Sequence, residues 1–122
     1  MLNLRLKKIY FDLIKNGKKT VEGRINTAKY RNMRPGDKIQ FSLDQDGKNS
    51  ETLVCIVEKI TVYPDFFSML CAEGIENMLP GITTIEDGVS LYENFPGYKS
   101  SVQENGALAI KIRVENTQNI NH

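Results

Sequence analysis

The feature that most constrains the fold is the strict alternation of apolar and polar residues near both ends of the sequence. Residues 2–6 alternate leucine with polar residues, and residues 107–114 alternate large apolar side chains with alanine or a cation. A period of two indicates β-strands that bury one face. Residues 39–43 alternate in the same way, and the β-branched segment 52–62 predicts a long, strongly bent strand. The chain therefore requires a β-sheet.

Helices are predicted between these strands. Residues 8–16 have apolar side chains at helical spacing, and Gly17 would end that helix in a left-handed conformation. Residues 95–105 are predicted to form a loop, and residues 44–50 a hairpin connection turning at Asp46-Gly47. Three further helical segments are predicted at residues 65–72, at residues 75–79, and after a cap at Thr83 or Thr84.

The predicted fold class is α+β, a small mixed β-barrel of about five strands with two to three flanking helices. The second, third and fourth strands are linked too closely for parallel crossovers, which need about a dozen residues or more. A length of 122 residues fits a single core. We predict one domain over residues 1–115 and a polar tail over residues 116–122.

Composition argues against several classes of site. There is no long apolar run, and the N-terminus lacks the apolar core of a signal peptide, so we predict a cytoplasmic protein with no membrane span. The one histidine, His122, lies in the predicted tail, and no Cys/His set has zinc spacing. Neither a metal nor a cofactor is therefore predicted. Cys55 and Cys71 are predicted to be buried apolar side chains and not a disulfide.

Charge is distributed unevenly along the chain. Residues 1–38 contain 11 Lys or Arg and three acidic residues, a formal charge of +8, whereas the remainder carries −7. A basic segment of this kind favours an anionic partner. The alternative is that the basic and acidic segments neutralise each other across the fold.

One short segment concentrates the chemistry. Residues 17–24, GKKTVEGR, contain three cations, a hydroxyl and a carboxylate, but one sizeable apolar side chain. As a strand, the segment would place Thr20, Glu22 and Arg24 on one face, with Lys19 and Val21 on the other. We predict that it forms the floor of a polar cleft. The alternative is an ion-paired network at the rim of the barrel.

These residues have predicted roles in binding a nucleic acid or a nucleoside. Lys18, Lys19 and Arg24 would contact phosphate or sugar. Glu22 would accept hydrogen bonds from the amino edge of a base, and Thr20 belongs to the same candidate site. The alternative for Lys18 is that it is solvated near the negative end of the preceding helix.

Aromatic residues next to cations predict stacking on a base. Tyr98 and Lys99 form such a pair in the predicted loop 95–105, and Tyr30 lies between Lys29 and Arg31. The alternative for Tyr98 is that it covers the mouth of the barrel.

Four segments of the sequence carry a resemblance to a known family: residues 14–17 (IKNG), residues 18–24 (KKTVEGR), residues 34–41 (RPGDKIQF) and residues 106–112 (GALAIKI). Together they resemble the ASCH domain family of the PUA-like superfamily. The resemblance implies a compact β-barrel, with a cleft between the motif strand and the loop before the last strand. It also implies a link to RNA, because PUA-like domains typically bind RNA, and ASCH members bind or act on RNA or take part in transcriptional coactivation.

One branch of that family is similar to amidohydrolases that remove an acyl group from modified cytidine, using a lysine, a threonine and a glutamate. The lysine of that branch matches Lys19, but its hydroxyl position falls on Glu22, so the nucleophile is absent here. Thr20 lies two residues earlier and does not replace it.

We therefore predict a binding module for RNA or a modified nucleoside. The alternative is a small hydrolase, either an amidohydrolase on acylated cytidine or a ribonuclease, with Lys19 as activated amine and Glu22 as base. A third interpretation is a domain that binds a protein partner through its acidic second half. The sequence indicates no oligomeric state.

Overall fold

The computed structural model describes residues 1–43 and 51–115. The predicted hairpin turn at Asp46-Gly47 and the predicted tail over residues 116–122 lie outside these ranges. The strands are β1 (Leu2–Leu6), β2 (Val21–Ile25), β3 (Lys38–Leu43), β4 (Thr52–Tyr63) and β5 (Ala107–Val114). The helices are α1 (Lys8–Lys15), α2 (Phe66–Glu73), α3 (Ile75–Met78), α4 (Ile85–Glu93) and α5 (Tyr98–Asn105), with a 3-10 turn at Ala28–Tyr30.

The five strands form one mixed sheet in the order β1-β3-β4-β5-β2. The pair β1–β3 is parallel, and the other three pairs are antiparallel. The sheet curls into a half-barrel in which β1 and β2 are the two edges. The predicted α+β class with five mixed strands is confirmed, and the barrel has an open seam between its edge strands.

A helix-ending motif sets the start of β2. The amide of Lys18 donates to the carbonyl oxygen of Leu13 at 3.0 Å, and that of Gly17 donates to Ile14 at 3.1 Å. With Gly17 at φ 82°, this is the Schellman arrangement, which satisfies the last carbonyl groups of the helix. The motif turns the chain from α1 toward the sheet, and the glycine predicted to end the helix does so.

Five helices are present among the described residues, where the predicted fold class had two to three flanking helices and four helical segments were predicted along the chain. The main difference is α5, because residues 95–105 were predicted to form a loop. Val102 is the single fully buried residue of α5, so the segment lacks the apolar stripe by which a helix is recognised. Tyr98 consequently opens a helix and does not lie in a loop.

Two apolar clusters pack on opposite faces of the sheet. The first lies inside the curl and is closed by α1, through Phe11 and Ile14. The second lies outside, where α2 to α5 cover Val21, Ile25 and neighbouring β5 residues. The outward face of β2 is therefore apolar, and its alternate residues point into the seam.

Two further predictions concern the burial of the cysteines and the absence of a membrane span. Cys55 is buried as predicted, whereas Cys71 is exposed on α2, whose outer side faces solvent. Within the two described ranges, no helix is long and apolar enough to cross a membrane.

Candidate functional site

A pocket of about 260 Å³ occupies the seam between the edge strands β1 and β2. Helices α1, α4 and α5 and the segment after α3 contribute its walls. Residues 17–24 were predicted to form a cleft floor, and three of them reach this pocket through their side chains. The described residues that line it are Arg5, Leu6, Lys7, Tyr10, Lys19, Glu22, Gly23, Arg24, Leu79, Tyr92, Phe95, Pro96 and Tyr98.

The floor of the pocket is an ion-pair network centred on Glu22. Nε of Arg24 donates to Oε2 of Glu22 at 2.7 Å, and Nζ of Lys19 lies 3.3 Å from Oε1. The side chains of Lys19 and Glu22 are 2% and 7% exposed, and that of Arg24 is 17% exposed. A carboxylate between two cations is thus held at the bottom of a concavity.

The position of Lys19 corrects the predicted alternation, which put it on the face opposite Glu22. β2 begins at Val21, and the amide of Thr20 donates to the carbonyl oxygen of Asn77, not to a strand. The period of two therefore does not extend back to Lys19. Its side chain turns inward, where Nζ donates to the carbonyl oxygens of Val21 at 2.8 Å and Met78 at 2.6 Å.

The network shifts the pKa of each member. Burial alone would raise the pKa of Glu22, but the charges of Lys19 and Arg24 outweigh it and hold that pKa below its usual value. Burial lowers the pKa of Lys19, and Glu22 opposes this effect. For Arg24, burial is again unfavourable, yet Glu22 raises the pKa of the guanidinium. Glu22 and Arg24 are therefore both charged at neutral pH.

Arg24 also connects the two edges of the sheet. Its Nη2 donates to the backbone carbonyl oxygen of Arg5 at 3.1 Å, so one side chain on β2 reaches β1 across the seam. Arg5 and Arg24 both line the pocket, so this hydrogen bond lies at its edge. The guanidinium thus fixes the distance between the strands that form the pocket.

Aromatic residues form the wall opposite the charged floor. Phe66 lies between Tyr92 and Tyr98, with ring centroids 4.9 Å and 6.0 Å away and interplanar angles of 8° and 12°. The ring of Phe95 meets Tyr98 edge to face at 5.3 Å. One face of Tyr98 is therefore already occupied by protein, which limits any stacking on a ligand to the other face.

Gly23 allows this wall to approach the strand. A Cβ atom at Gly23 would lie 2.6 Å from Oη of Tyr92 and 2.9 Å from its Cζ. Only glycine permits the buried tyrosine to sit against β2 between Glu22 and Arg24. The glycine is thus required by a close side-chain approach and not by its own backbone angles.

Four residues with predicted site roles lie elsewhere. Lys18 and Lys99 are exposed and are not among the described residues that line the pocket. Thr20 lines a different cavity, at the end of α1 beside Ile112. Tyr30, predicted as a second stacking group, is buried at 7% exposure and cannot offer its ring to a ligand.

Sequence reasoning missed the contributions of α1 and α4 to the pocket. Tyr10 and Tyr92 lie in segments that were predicted only to be helical, and their hydroxyl groups gave no separate signal. Their proximity to Glu22 is expressed in the raised pKa of both tyrosines, caused first by burial and then by the carboxylate. In the described part of the chain, no group of three His, Cys, Asp or Glu could hold a metal ion.

Comparison with known proteins identifies the family. The model of the ASCH domain matches residues 4–116, which covers nearly the whole chain. The chain belongs to the ASCH domain family. No curated protein matches it at a significant level.

Solved structures agree with this assignment. The ASCH domain described here is similar to hypothetical protein PH0355, with 38% identity, a TM-score of 0.79, and coverage of 93% of this chain and 98% of that one. It is also similar to protein PF0455 from Pyrococcus furiosus, with 35% identity, a TM-score of 0.71, and coverage of 94% and 97%. An S128A mutant of ZmASCH from Zymomonas mobilis shares the overall fold at 16% identity and a TM-score of 0.59, covering 91% of this chain and 66% of that one.

Proposed function

We propose that this ASCH domain binds RNA by accepting one unpaired base, or a modified nucleoside, into the pocket between β1 and β2. The observation that carries the proposal is an ionised carboxylate, Glu22, held by two cations at the bottom of a pocket whose walls are mostly aromatic and aliphatic. Ligand sites typically combine such walls with a few oriented polar groups. An ionised carboxylate accepts hydrogen bonds only, so its partner must be a donor.

Pocket size favours a single base over a duplex. Sites for drug-sized ligands have volumes of about 300–1,000 Å³, and this pocket, at about 260 Å³, is slightly smaller. RNA is usually read through unstacked bases that leave the strand and enter such pockets. A helix of paired RNA is too wide to enter the seam.

The charge of the pocket supports a nucleic-acid ligand. Four cations and one carboxylate line it, giving a formal charge of +3. Arg5 and Lys7 are the exposed members on β1 and just after it, which places positive charge at the rim. We propose that this rim contacts the phosphates next to the inserted base, joined by Lys18 and Lys99 on the surface outside the pocket.

The floor favours bases with an exocyclic amino group. Glu22 would accept from the amino group, and the guanidinium of Arg24 would donate to an adjacent ring nitrogen or carbonyl oxygen. Uracil carries no amino group on its pairing edge. We therefore expect cytosine, adenine and guanine to bind better than uracil.

Two observations weigh against the hydrolase alternative. The ammonium group of Lys19 is surrounded by acceptors, so it is poorly placed to act as a nucleophile or base. The lowered pKa of Glu22 makes it a weak general base at neutral pH. Incubation with N-acylated cytidine and with short RNA tests this directly, and we expect no product from either.

The experiment is a fluorescence-anisotropy titration of short single-stranded RNAs, each with one C, A, G or U in a constant flanking sequence. The variant is Glu22→Gln, and the matched control is Glu104→Gln, an exposed carboxylate on α5. We expect Glu22→Gln to reduce the preference for amino-bearing bases about tenfold or more, because one charged hydrogen bond contributes about 1.5–3 kcal/mol. Equal affinity of wild type and Glu22→Gln, with both folded by NMR, would contradict the proposal.

A further inference from the structure

Lys19 and Glu22 are the two buried charged residues in the described part of the chain. A lysine ammonium has three donors and no acceptor. Around Nζ of Lys19 there are three acceptors: the carbonyl oxygens of Val21 and Met78, and Oε1 of Glu22. The ammonium group therefore donates two hydrogen bonds to carbonyl oxygens and lies 3.3 Å from the Glu22 carboxylate, and a neutral amine would turn its lone pair toward an oxygen.

These acceptors belong to two elements beside the pocket, α3 and β2. Met78 is the last residue of α3, and the next residue, Leu79, is part of the pocket wall. Val21 opens β2, and the adjacent Glu22 is the floor. The backbone reinforces the same junction, because the amide of Thr20 donates to the carbonyl oxygen of Asn77 at 2.9 Å. One buried cation thus ties the end of α3 to the start of β2.

We infer that Lys19 is a positioning residue: it holds Glu22 ionised and oriented, and fixes α3 to β2, without touching the ligand. The role assigned to Glu22 in this inference rests on the proposed function. The structural part does not, because it concerns contacts within the protein alone. The sequence-based role of Lys19, as a phosphate contact or an activated amine, is replaced by this one.

Several titratable groups face Glu22, so its titration must be measured at the residue itself. Arg24 remains after Lys19 is replaced and still favours the carboxylate, whereas burial opposes it. The other groups that face or interact with Glu22 are Tyr10 on α1, Tyr30 in the 3-10 turn, Cys55 on β4, Tyr92 on α4 and Tyr98 on α5, with Arg5 and Lys7 at the rim.

The test compares Lys19→Met with Lys18→Met, a substitution of the exposed neighbour. The side-chain carboxyl ¹³C shift of Glu22 is followed against pH in ligand-free protein, together with unfolding in urea. We expect Lys19→Met to raise the titration midpoint of Glu22 by about 1–3 pH units and to lower the urea midpoint. Lys18→Met should leave both unchanged. An unchanged Glu22 midpoint in folded Lys19→Met would overturn the inference.

A wild-type measurement covers the case in which Lys19→Met does not fold. The ¹⁵Nζ resonance of Lys19 is recorded with and without cytidine 5′-monophosphate, and we expect a protonated, slowly exchanging signal that the nucleotide barely moves. A large shift on Lys19, with protection from exchange gained only upon binding, would show a ligand contact and refute the positioning role. Failure of the nucleotide to bind would count against the proposed function, while the ligand-free signal would still decide the role of Lys19.

Discussion

Glycine at position 23 allows Tyr92 of the aromatic wall to pack directly against β2, which carries the charged floor. Because a Cβ atom there would lie 2.6 Å from Oη of Tyr92, the ring must move or the strand must bend. We expect Gly23→Ala to destabilise the domain by about 1–3 kcal/mol, the usual effect of overpacking a core. Urea unfolding measures the change.

The double variant Gly23→Ala with Tyr92→Phe is the control for that prediction. Loss of the hydroxyl removes the closest contact but leaves the ring carbon at 2.9 Å, so partial recovery is expected. Strictly additive effects of the two substitutions would show that the clash is not the cause.

The acid response of the domain depends on Glu22. Its pKa is lower in the folded protein than the ordinary value of 4.5, so its contribution to stability is complete above that pH and is lost as pH falls through the folded pKa. Removing one partner of a buried ion pair costs about 3–5 kcal/mol. We expect Glu22→Gln to show a loss of this order at pH 7, shrinking toward zero in strong acid. Thermal unfolding from pH 7 to pH 2 checks it, and a constant difference would contradict it.

At the scale of elements, the end of α1 determines the position of Lys19, which follows the helix-ending glycine by two residues. Gly17 has φ 82°, and a Cβ atom added there would meet nothing within 4 Å, so the cost of a side chain is confined to the backbone. We expect Gly17→Ala to destabilise by about 1–2 kcal/mol. Gly17→Asn should cost less, because asparagine tolerates the left-handed region. Urea unfolding measures both, and equal stability of the two variants and wild type would contradict the assignment.

The seam between β1 and β2 depends on Arg24. Lysine at this position keeps the charge but cannot donate both to Glu22 and to the carbonyl oxygen of Arg5 in the fork geometry of arginine. We expect Arg24→Lys to speed hydrogen exchange in β1 several-fold while β3 and β4 are unaffected. The matched control is Arg113→Lys, an exposed arginine on β5 paired with Glu58. Equal hydrogen-exchange rates in β1 of the two variants would show that Arg24 does not bridge β1 and β2.

At the scale of the whole molecule, the basic N-terminal segment should appear in the salt dependence of RNA binding. Each phosphate contact on single-stranded RNA contributes about 0.7 to the slope of log affinity against log salt. We expect Lys7→Gln, at the pocket rim, to reduce the slope by about that amount. Lys59→Gln, exposed on β4 and not part of the pocket lining, should leave it unchanged. The opposite result would place the RNA on another face.

Much of the fold follows from local sequence signals, because β1, β3 and β5 alternate with a period of two and Gly17 marks a helix end. α5 could not be predicted, since Val102 is its one buried residue and its start depends on Gly97 in a left-handed conformation. The sequence predicted that Glu22 and Arg24 would lie in one cleft, and both line the pocket, but it gave no such signal for Tyr10 or Tyr92. Their part in the site arises from tertiary packing across elements far apart in the chain, which no local pattern records.

The edge strands that flank the pocket are hydrogen-bonded to different neighbours, β1 to β3 and β2 to β5. Neither lip therefore depends on the other for its ladder. A side chain, Arg24, and not a backbone ladder joins the two lips across the opening. The width of the opening is thus set by one arginine, so a single substitution there can change that width while β3 and β4 stay paired.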